Sequence, residues 1–167
     1  MSVRTARAAL VALLFAGLPV ASFAGVPQAG DPAPGFSLKR LNSSSTQTLS
    51  ALKGKPVYLN FFASWCGPCN DEAPSIVKLY DKYHPKGLVV VGIDELDPDE
   101  KTLAFVKQYK LPYEVVTDSD GVTGKAYYTI GLPMHVFIDR SGKISTFRQG
   151  EMTPDEIEAA IKKIVQK

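Results

Sequence analysis

Val57-Tyr58-Leu59-Asn60-Phe61-Phe62-Ala63-Ser64-Trp65-Cys66-Gly67-Pro68-Cys69 joins a dense apolar run to two cysteines spaced C-x-x-C. Val57–Ala63 has the continuous apolar character of a strand buried on both faces. After Cys69 the period changes. Ala73, Ile76, Val77, Tyr80 and Tyr83 fall on one helical face. The cysteines therefore stand where a buried strand hands over to a helix N-terminus. Pro74 lies inside that helix and is expected to kink it.

No other cysteine occurs in the 167 residues. A bridge across so short a loop removes little entropy from the unfolded chain, so a purely structural disulfide is a poor reading. Redox chemistry is the better one. The thiolate is the nucleophile in disulfide exchange, and a helix N-terminus stabilises its charge. Cys66 is expected to be the more acidic, attacking thiol. The three-residue offset places Cys69 over Cys66, within bridging distance and shielded behind it. Cys66 would attack a partner disulfide, and Cys69 would then resolve the mixed disulfide. Gly67 and Pro68 set the turn between them and so tune the potential.

Outward from this centre, the chain reads as one domain from Asp31 to Lys167, preceded by a short leader at residues 25–30. Phe36–Leu41 and Thr46–Leu49 form a hairpin across Asn42-Ser43-Ser44-Ser45. Leu88–Ile93 is a second buried strand. Asp97-Pro98-Asp99-Glu100 reads as a capping box opening a helix that runs to about Lys110. A strand at Glu114–Thr117 and a short helix at Val122–Tyr128 come next. Met134–Asp139 and Lys143–Arg148 form a hairpin. Thr153-Pro154-Asp155-Glu156 opens a last helix with Ile157, Ala160, Ile161, Ile164 and Val165 as its buried stripe. The order of elements predicts an α/β fold with a mixed central sheet and helices on both faces.

Residues 1–24 read differently. Arg4 and Arg7 precede an apolar run from Ala8 to Leu18, and Ser22-Phe23-Ala24 offers a cleavage site. This is the pattern of an export signal, with a periplasmic or otherwise exported mature chain. An uncleaved membrane anchor is the rival, but the run is shorter than the roughly 20 residues a span requires. Cleavage removes two arginines and no acid, taking the formal charge from +2 to 0. A neutral chain argues against nucleic acid as a partner.

Trp65-Cys66-Gly67-Pro68-Cys69 resembles the active site of the thioredoxin superfamily, and nearly all of residues 31–167 fits. Pro74 is similar to that family's helix proline. Gly131-Leu132-Pro133 resembles its cis-proline segment, which implies that Pro133 is cis and that the Leu132 backbone pairs with an extended client. The Asp31–Phe36 opening and the helix and strand between Ile93 and Thr117 resemble the exported TlpA/ResA-like branch. That resemblance implies a thioredoxin fold with an N-terminal β-hairpin and a central α-β insertion. It also implies a reductase of protein disulfides fed by a membrane electron donor, with apocytochrome c or a copper-site protein as client. No cofactor beyond the Cys66–Cys69 pair and no resident metal is expected, and the protein is expected to be a monomer.

Asn60 stands where cytosolic thioredoxins carry a buried aspartate, and Glu72 matches an acid of the branch. Resolution requires Cys69 to lose a proton, and a partly buried carboxylate could take it. Glu72 is the candidate base; otherwise it is an acid favoured by the helix dipole. His135, two residues past Pro133, has three readings: a third ligand to a metal held with Cys66 and Cys69, a hydrogen-bond partner near Glu72, or a core histidine. Trp65 is either a docking platform or a lid on the motif. Asp94-Glu95-Leu96-Asp97 is expected to be a solvated turn, and Asp118-Ser119-Asp120-Gly121 a turn lacking the ligands of a calcium loop. Two other functions compete. A metal carrier would use Cys66, Cys69 and His135. A peroxidase of the peroxiredoxin type would need Pro-x-x-x-Thr-x-x-Cys, which neither cysteine has.

Overall fold

The computed structural model describes residues 25–166, so the export signal expected over 1–24 lies outside the described residues. β3 (Val57–Phe62) is buried at every position. It pairs in parallel with β4 (Val89–Glu95) and antiparallel with β6 (Met134–Ile138). With neighbours on both edges and helices over its surroundings, a strand of this composition has no polar face to offer water. β4 pairs in parallel with β5 (Glu114–Asp118), and β6 pairs with β7 (Ile144–Gln149). The N-terminal hairpin of β1 (Ser37–Arg40) and β2 (Thr46–Thr48) joins through β1 and β5. Among the described residues this gives one mixed sheet of order β2-β1-β5-β4-β3-β6-β7.

Two apolar layers cover the sheet. On one face, Tyr58, Phe62, Val90 and Phe137 pack with Ala73, Ile76 and Leu79 of α1 (Gly67–Tyr83) and Phe105 of α2 (Asp99–Tyr109). Ile157, Ala160, Ile161 and Ile164 of α4 (Pro154–Val165) complete that layer. On the other face Leu59, Phe61, Val91 and Ile93 meet Phe36, Leu38, Leu52 and Tyr127, the last just after α3 (Val122–Ala126). Fully burying one such side chain stabilises the fold by about 1.5–3 kcal/mol. Both layers continue to the C-terminal end of β3, where the cysteines lie. Among the described residues no helix is long and apolar enough to cross a membrane.

The buried stripe of α1 is rotated from the expected one. Leu79 is buried, whereas Val77 and Tyr80 are only partly covered. Cys69, Glu72, Ala73, Ile76, Leu79 and Tyr83 form the inner face. The helix must turn Cys69 and Glu72 inward, and the apolar stripe follows that constraint.

The two expected capping boxes part company. At α4, the Thr153 hydroxyl accepts from Glu156 N–H at 3.3 Å and the Glu156 carboxylate accepts from Thr153 N–H at 2.8 Å. Such a cap contributes about 1 kcal/mol. At α2 the box is absent: Pro98 is the cap residue and no side chain caps it. Asp97 instead accepts from Ser64 N–H at 2.6 Å, next to the cysteines. Nor is Asp94–Asp97 a solvated turn. Asp94, Glu95 and Asp97 are 1%, 9% and 9% exposed, and only Leu96 projects outward. β4 runs on to Glu95 and carries the acids inside. The short Asp118–Gly121 stretch is a turn, as expected, with Gly121 N–H donating to Asp118 O.

Candidate active site

α1 begins at Gly67 with Cys66 as its cap residue, so Cys66 faces backbone N–H groups that have no helical partner. Its Sγ accepts from Cys69 N–H at 3.2 Å. That contact is the local form of the helix-dipole effect, and it favours a thiolate at Cys66. Pro68 costs the helix nothing here, because an N–H in the first turn has no acceptor anyway. Cys66 and Cys69 are joined as a disulfide with Cα atoms 5.3 Å apart.

The expected shielding of Cys69 behind an open Cys66 is not a feature of this oxidised pair, since each residue is 4% exposed. Joining the sulfurs makes each cover the other. The asymmetry between them lies in polarity instead, with Cys66 alone receiving the N–H. Trp65, at 70% exposure, stands clear of the surface. Most of its surface is open to solvent, which suits a platform better than a lid. Gly67 and Pro68 are exposed beside it.

The loop that presents Cys66 is fastened from three directions. Asp97 holds Ser64 N–H. Asn70 donates its amide to Ser64 O at 3.1 Å and to Cys66 O at 2.7 Å. Tyr109, at the end of α2, donates to Asn70 Oδ1 at 2.8 Å. The central insertion therefore reaches the redox pair through Asp97 and Tyr109. Sequence reasoning did not find Asp97, Asn70 or Tyr109 as site residues. Asn70 was detectable as a polar residue one turn past Cys66; the other two are brought in only by tertiary packing.

Pro133 is cis, in agreement with expectation. Its carbonyl accepts from Gly150 N–H at 2.8 Å, and Leu132 is partly covered by both apolar layers. Asn60 is buried on β3 and stands opposite His135 in the β3–β6 register.

Glu72 is buried at 5% exposure, one turn beyond Cys69 on the inner face of α1. Its Oε1 accepts from Met152 N–H at 2.6 Å. Its Oε2 lies 3.4 Å from His135 Nε2. His135 is fully buried, and its Nδ1 is 2.8 Å from the Tyr58 hydroxyl. Burial, with the Glu72 charge adding to it, holds Tyr58 well above the usual phenol range, so its hydroxyl stays protonated. Both ring nitrogens of His135 are thus directed at protein groups. His135 therefore lies beside Glu72, as the second reading has it, and is buried in the core, as the third has it.

Other proteins carry the same arrangement of chain. Residues 29–147 match the AhpC/TSA family. Thiol-disulfide oxidoreductase ResA of Bacillus thuringiensis subsp. konkukian is 38% identical over 135 residues, which is 81% of this chain and 78% of that protein. Thioredoxin-like protein YneN of Bacillus subtilis is 37% identical over 78% of this chain and 77% of its own. A solved chain described as a thiol:disulfide interchange protein DsbE from Chlorobium tepidum aligns with a TM-score of 0.76 at 33% identity, covering 83% of this chain and 99% of that one. A secreted disulfide oxidoreductase of Mycobacterium tuberculosis, described as homologous to E. coli DsbE, aligns with a TM-score of 0.70 at 29% identity, covering 77% and 95%. The chain belongs to the AhpC/TSA family of thioredoxin-like proteins, and it is a thiol–disulfide oxidoreductase.

Proposed function

We propose that the protein is an exported reductase of protein disulfides in which Cys66 attacks, Cys69 resolves and Glu72 takes the Cys69 proton. The single observation that supports the reducing direction is Glu72, a carboxylate buried one turn from Cys69. A fixed negative charge beside the pair disfavours a thiolate there. It thereby weakens the reduced form relative to the disulfide, and a pair that prefers the disulfide gives its electrons away readily. Gly67-Pro68 between the cysteines agrees, by resemblance to reducing members.

Cys66 Sγ attacks a client sulfur and forms a mixed disulfide, and the second client sulfur leaves as thiolate. Cys69 passes its proton to Glu72. Its thiolate attacks Cys66 Sγ, the Cys66–client bond breaks, and the client sulfur departs with that bond's electron pair. The product is the Cys66–Cys69 disulfide present in this structure. Two electrons from a membrane donor, with two protons from water, restore the dithiol. No further cofactor is needed. The export signal in residues 1–24 and the secreted relative support a location outside the cytoplasm. Apocytochrome c or a copper-site protein is the client class, and the exposed Trp65 with the Leu132–Pro133 segment is its docking surface.

The direction is tested by the reduction potential of the pair in the mature protein. We expect a value below about −200 mV; one near the roughly −120 mV of strong oxidants would reverse the assignment. Mixed disulfides trapped in vivo with Cys69→Ala identify the clients, and recovery of exported thiol proteins is the expected outcome.

A further inference from the structure

The resolution step gives the buried His135 no task. His135 is fully buried on β6, on the face of the sheet that α1 covers. Neither His135 Nε2 nor Glu72 Oε2 has a hydrogen-bond partner, yet the two atoms face each other at 3.4 Å. Interior polar atoms are nearly always satisfied, so a facing pair of this kind calls for an explanation. One proton shared between an imidazole nitrogen and a carboxylate oxygen makes one atom donor and the other acceptor, and closes the bond.

The geometry points to His135 as the positioning residue for the proton that Glu72 takes from Cys69. This inference rests on the reading of Glu72 as base. Tyr58 holds the ring at 2.8 Å from Nδ1, a contact in which either atom can donate; in the tautomer with Nδ1–H donating to the Tyr58 oxygen, Nε2 keeps its lone pair toward Glu72. Cys69 gives its proton to the Glu72 carboxylate. Glu72 passes it to Nε2, which leaves a carboxylate against an imidazolium whose two N–H groups are both engaged. No charge is created or lost in the transfer within the pair. Water takes the proton away through a cleft of about 140 Å³ that Glu72 itself lines, with Asp71, Ser75 and Glu151. On reduction the proton returns by the same route.

The groups facing this pair come from every neighbouring element. Tyr58 and Asn60 belong to β3, and Tyr113 precedes β5 and acts on Tyr58. Arg148 of β7 is opposite His135 in register, exposed, and its charge also acts on Glu156 of α4. Asp71 and Glu151 line the cleft with Glu72. Among these, Glu72 is the group with an atom facing His135 Nε2.

The test follows the resolution step against pH in the mature protein, using a preformed Cys66 mixed disulfide with a chromophoric thiol. Glu72→Gln, His135→Gln and the double variant are compared. We expect His135→Gln to slow resolution about tenfold and to shift its pH profile, and the double variant to be no slower than Glu72→Gln alone, because residues acting as one unit are not additive. A pH profile unmoved in His135→Gln but moved in Glu72→Gln overturns the inference and leaves Glu72 as base. A profile unmoved in Glu72→Gln overturns both. The unmodified protein supplies a second measurement that needs no variant to fold. With only two histidines in the chain, the ring nitrogen resonances of His135 are readily assigned. We expect their titration to differ between the oxidised and reduced protein; identical curves in the two redox states would also sink the inference.

Discussion

Glu72 on α1 and the acids Asp94 and Glu95 at the end of β4 are all withdrawn from water. Their surroundings differ. One oxygen of Glu72 receives Met152 N–H and the other faces an imidazole. Neither oxygen of Asp94 has a hydrogen-bond partner, nor does Oε1 of Glu95. Burial pushes Asp94 up to about 7, opposed first by the Thr102 side chain and reinforced by the Asp97 charge. Burial, then the charges of Asp118 and Asp94, push Glu95 up to about 7 as well. A carboxylate with donors can hold a charge inside a protein; one without them keeps its proton until the pH is high enough to force it off. Glu72 has a donor at one oxygen and lines a cleft, which proton transfer requires. The β4 acids are shifted mainly by burial, and no cysteine is among the groups that act on them.

The sharpest way to break this distinction is to neutralise each side in turn. Glu72→Gln is expected to slow resolution about 100-fold, a usual scale for loss of a positioned base, while attack by Cys66 is spared. Asp94→Asn should change either step by less than about twofold, in keeping with a group that does no proton transfer. Stopped-flow kinetics with a disulfide substrate separates the two steps. Equal losses in both variants would mean that the acids at the two places do the same work.

The next largest effect is thermodynamic and belongs to β4 alone. The ordinary values for Asp94 and Glu95 are 3.8 and 4.5, and the folded values are about 7 for each. Across that window the folded protein binds more protons than the unfolded chain, so stability falls as pH rises. It is greatest below the ordinary carboxylate range and levels off above about 7. Urea unfolding should show a loss of about 2 kcal/mol for each of the two acids between pH 5 and pH 8. Asp94→Asn with Glu95→Gln should flatten that slope. A slope that survives the double substitution would assign the pH dependence to other groups.

How much of this the chain announces depends on the kind of interaction. Val57–Phe62, the C-x-x-C turn and the Thr153 capping box are local patterns, and each is where its residues place it. The cis bond at Pro133 is present as the family resemblance implied. The acids of β4 have the pattern of a solvated turn because polar residues near a strand end usually face water; here the strand continues inward and carries them with it. Gly124 shows the same limit. A Cβ there would overlap the Glu95 carboxylate, so a side chain at 124 would have to displace a group 29 positions earlier. Asp97 has the spacing of a helix cap but is used by Ser64, a partner 33 residues away. Local chemistry is written in short windows, whereas the choice between a helix N–H and a distant backbone N–H is made by packing.

Asp97 stands between the two kinds of acid, and it gives the finest test. Its Oδ2 accepts from Ser64 N–H at 2.6 Å, and its charge helps to push Asp94 up. Asp97→Asn keeps an acceptor toward Ser64 but removes the charge. A charged acceptor makes a bond roughly twice as strong as a neutral one, so the substitution should cost about 1 kcal/mol. That cost is not constant with pH. At pH 5 Asp94 is protonated and feels no repulsion from Asp97, so the whole loss is seen. At pH 8 Asp94 is ionised in the folded protein, and removing a neighbouring negative charge relieves it. The destabilisation by Asp97→Asn should therefore be smaller at pH 8 than at pH 5, measured by urea unfolding at the two values. A cost equal at both would uncouple Asp97 from Asp94 and leave it only the task of holding the loop before Cys66.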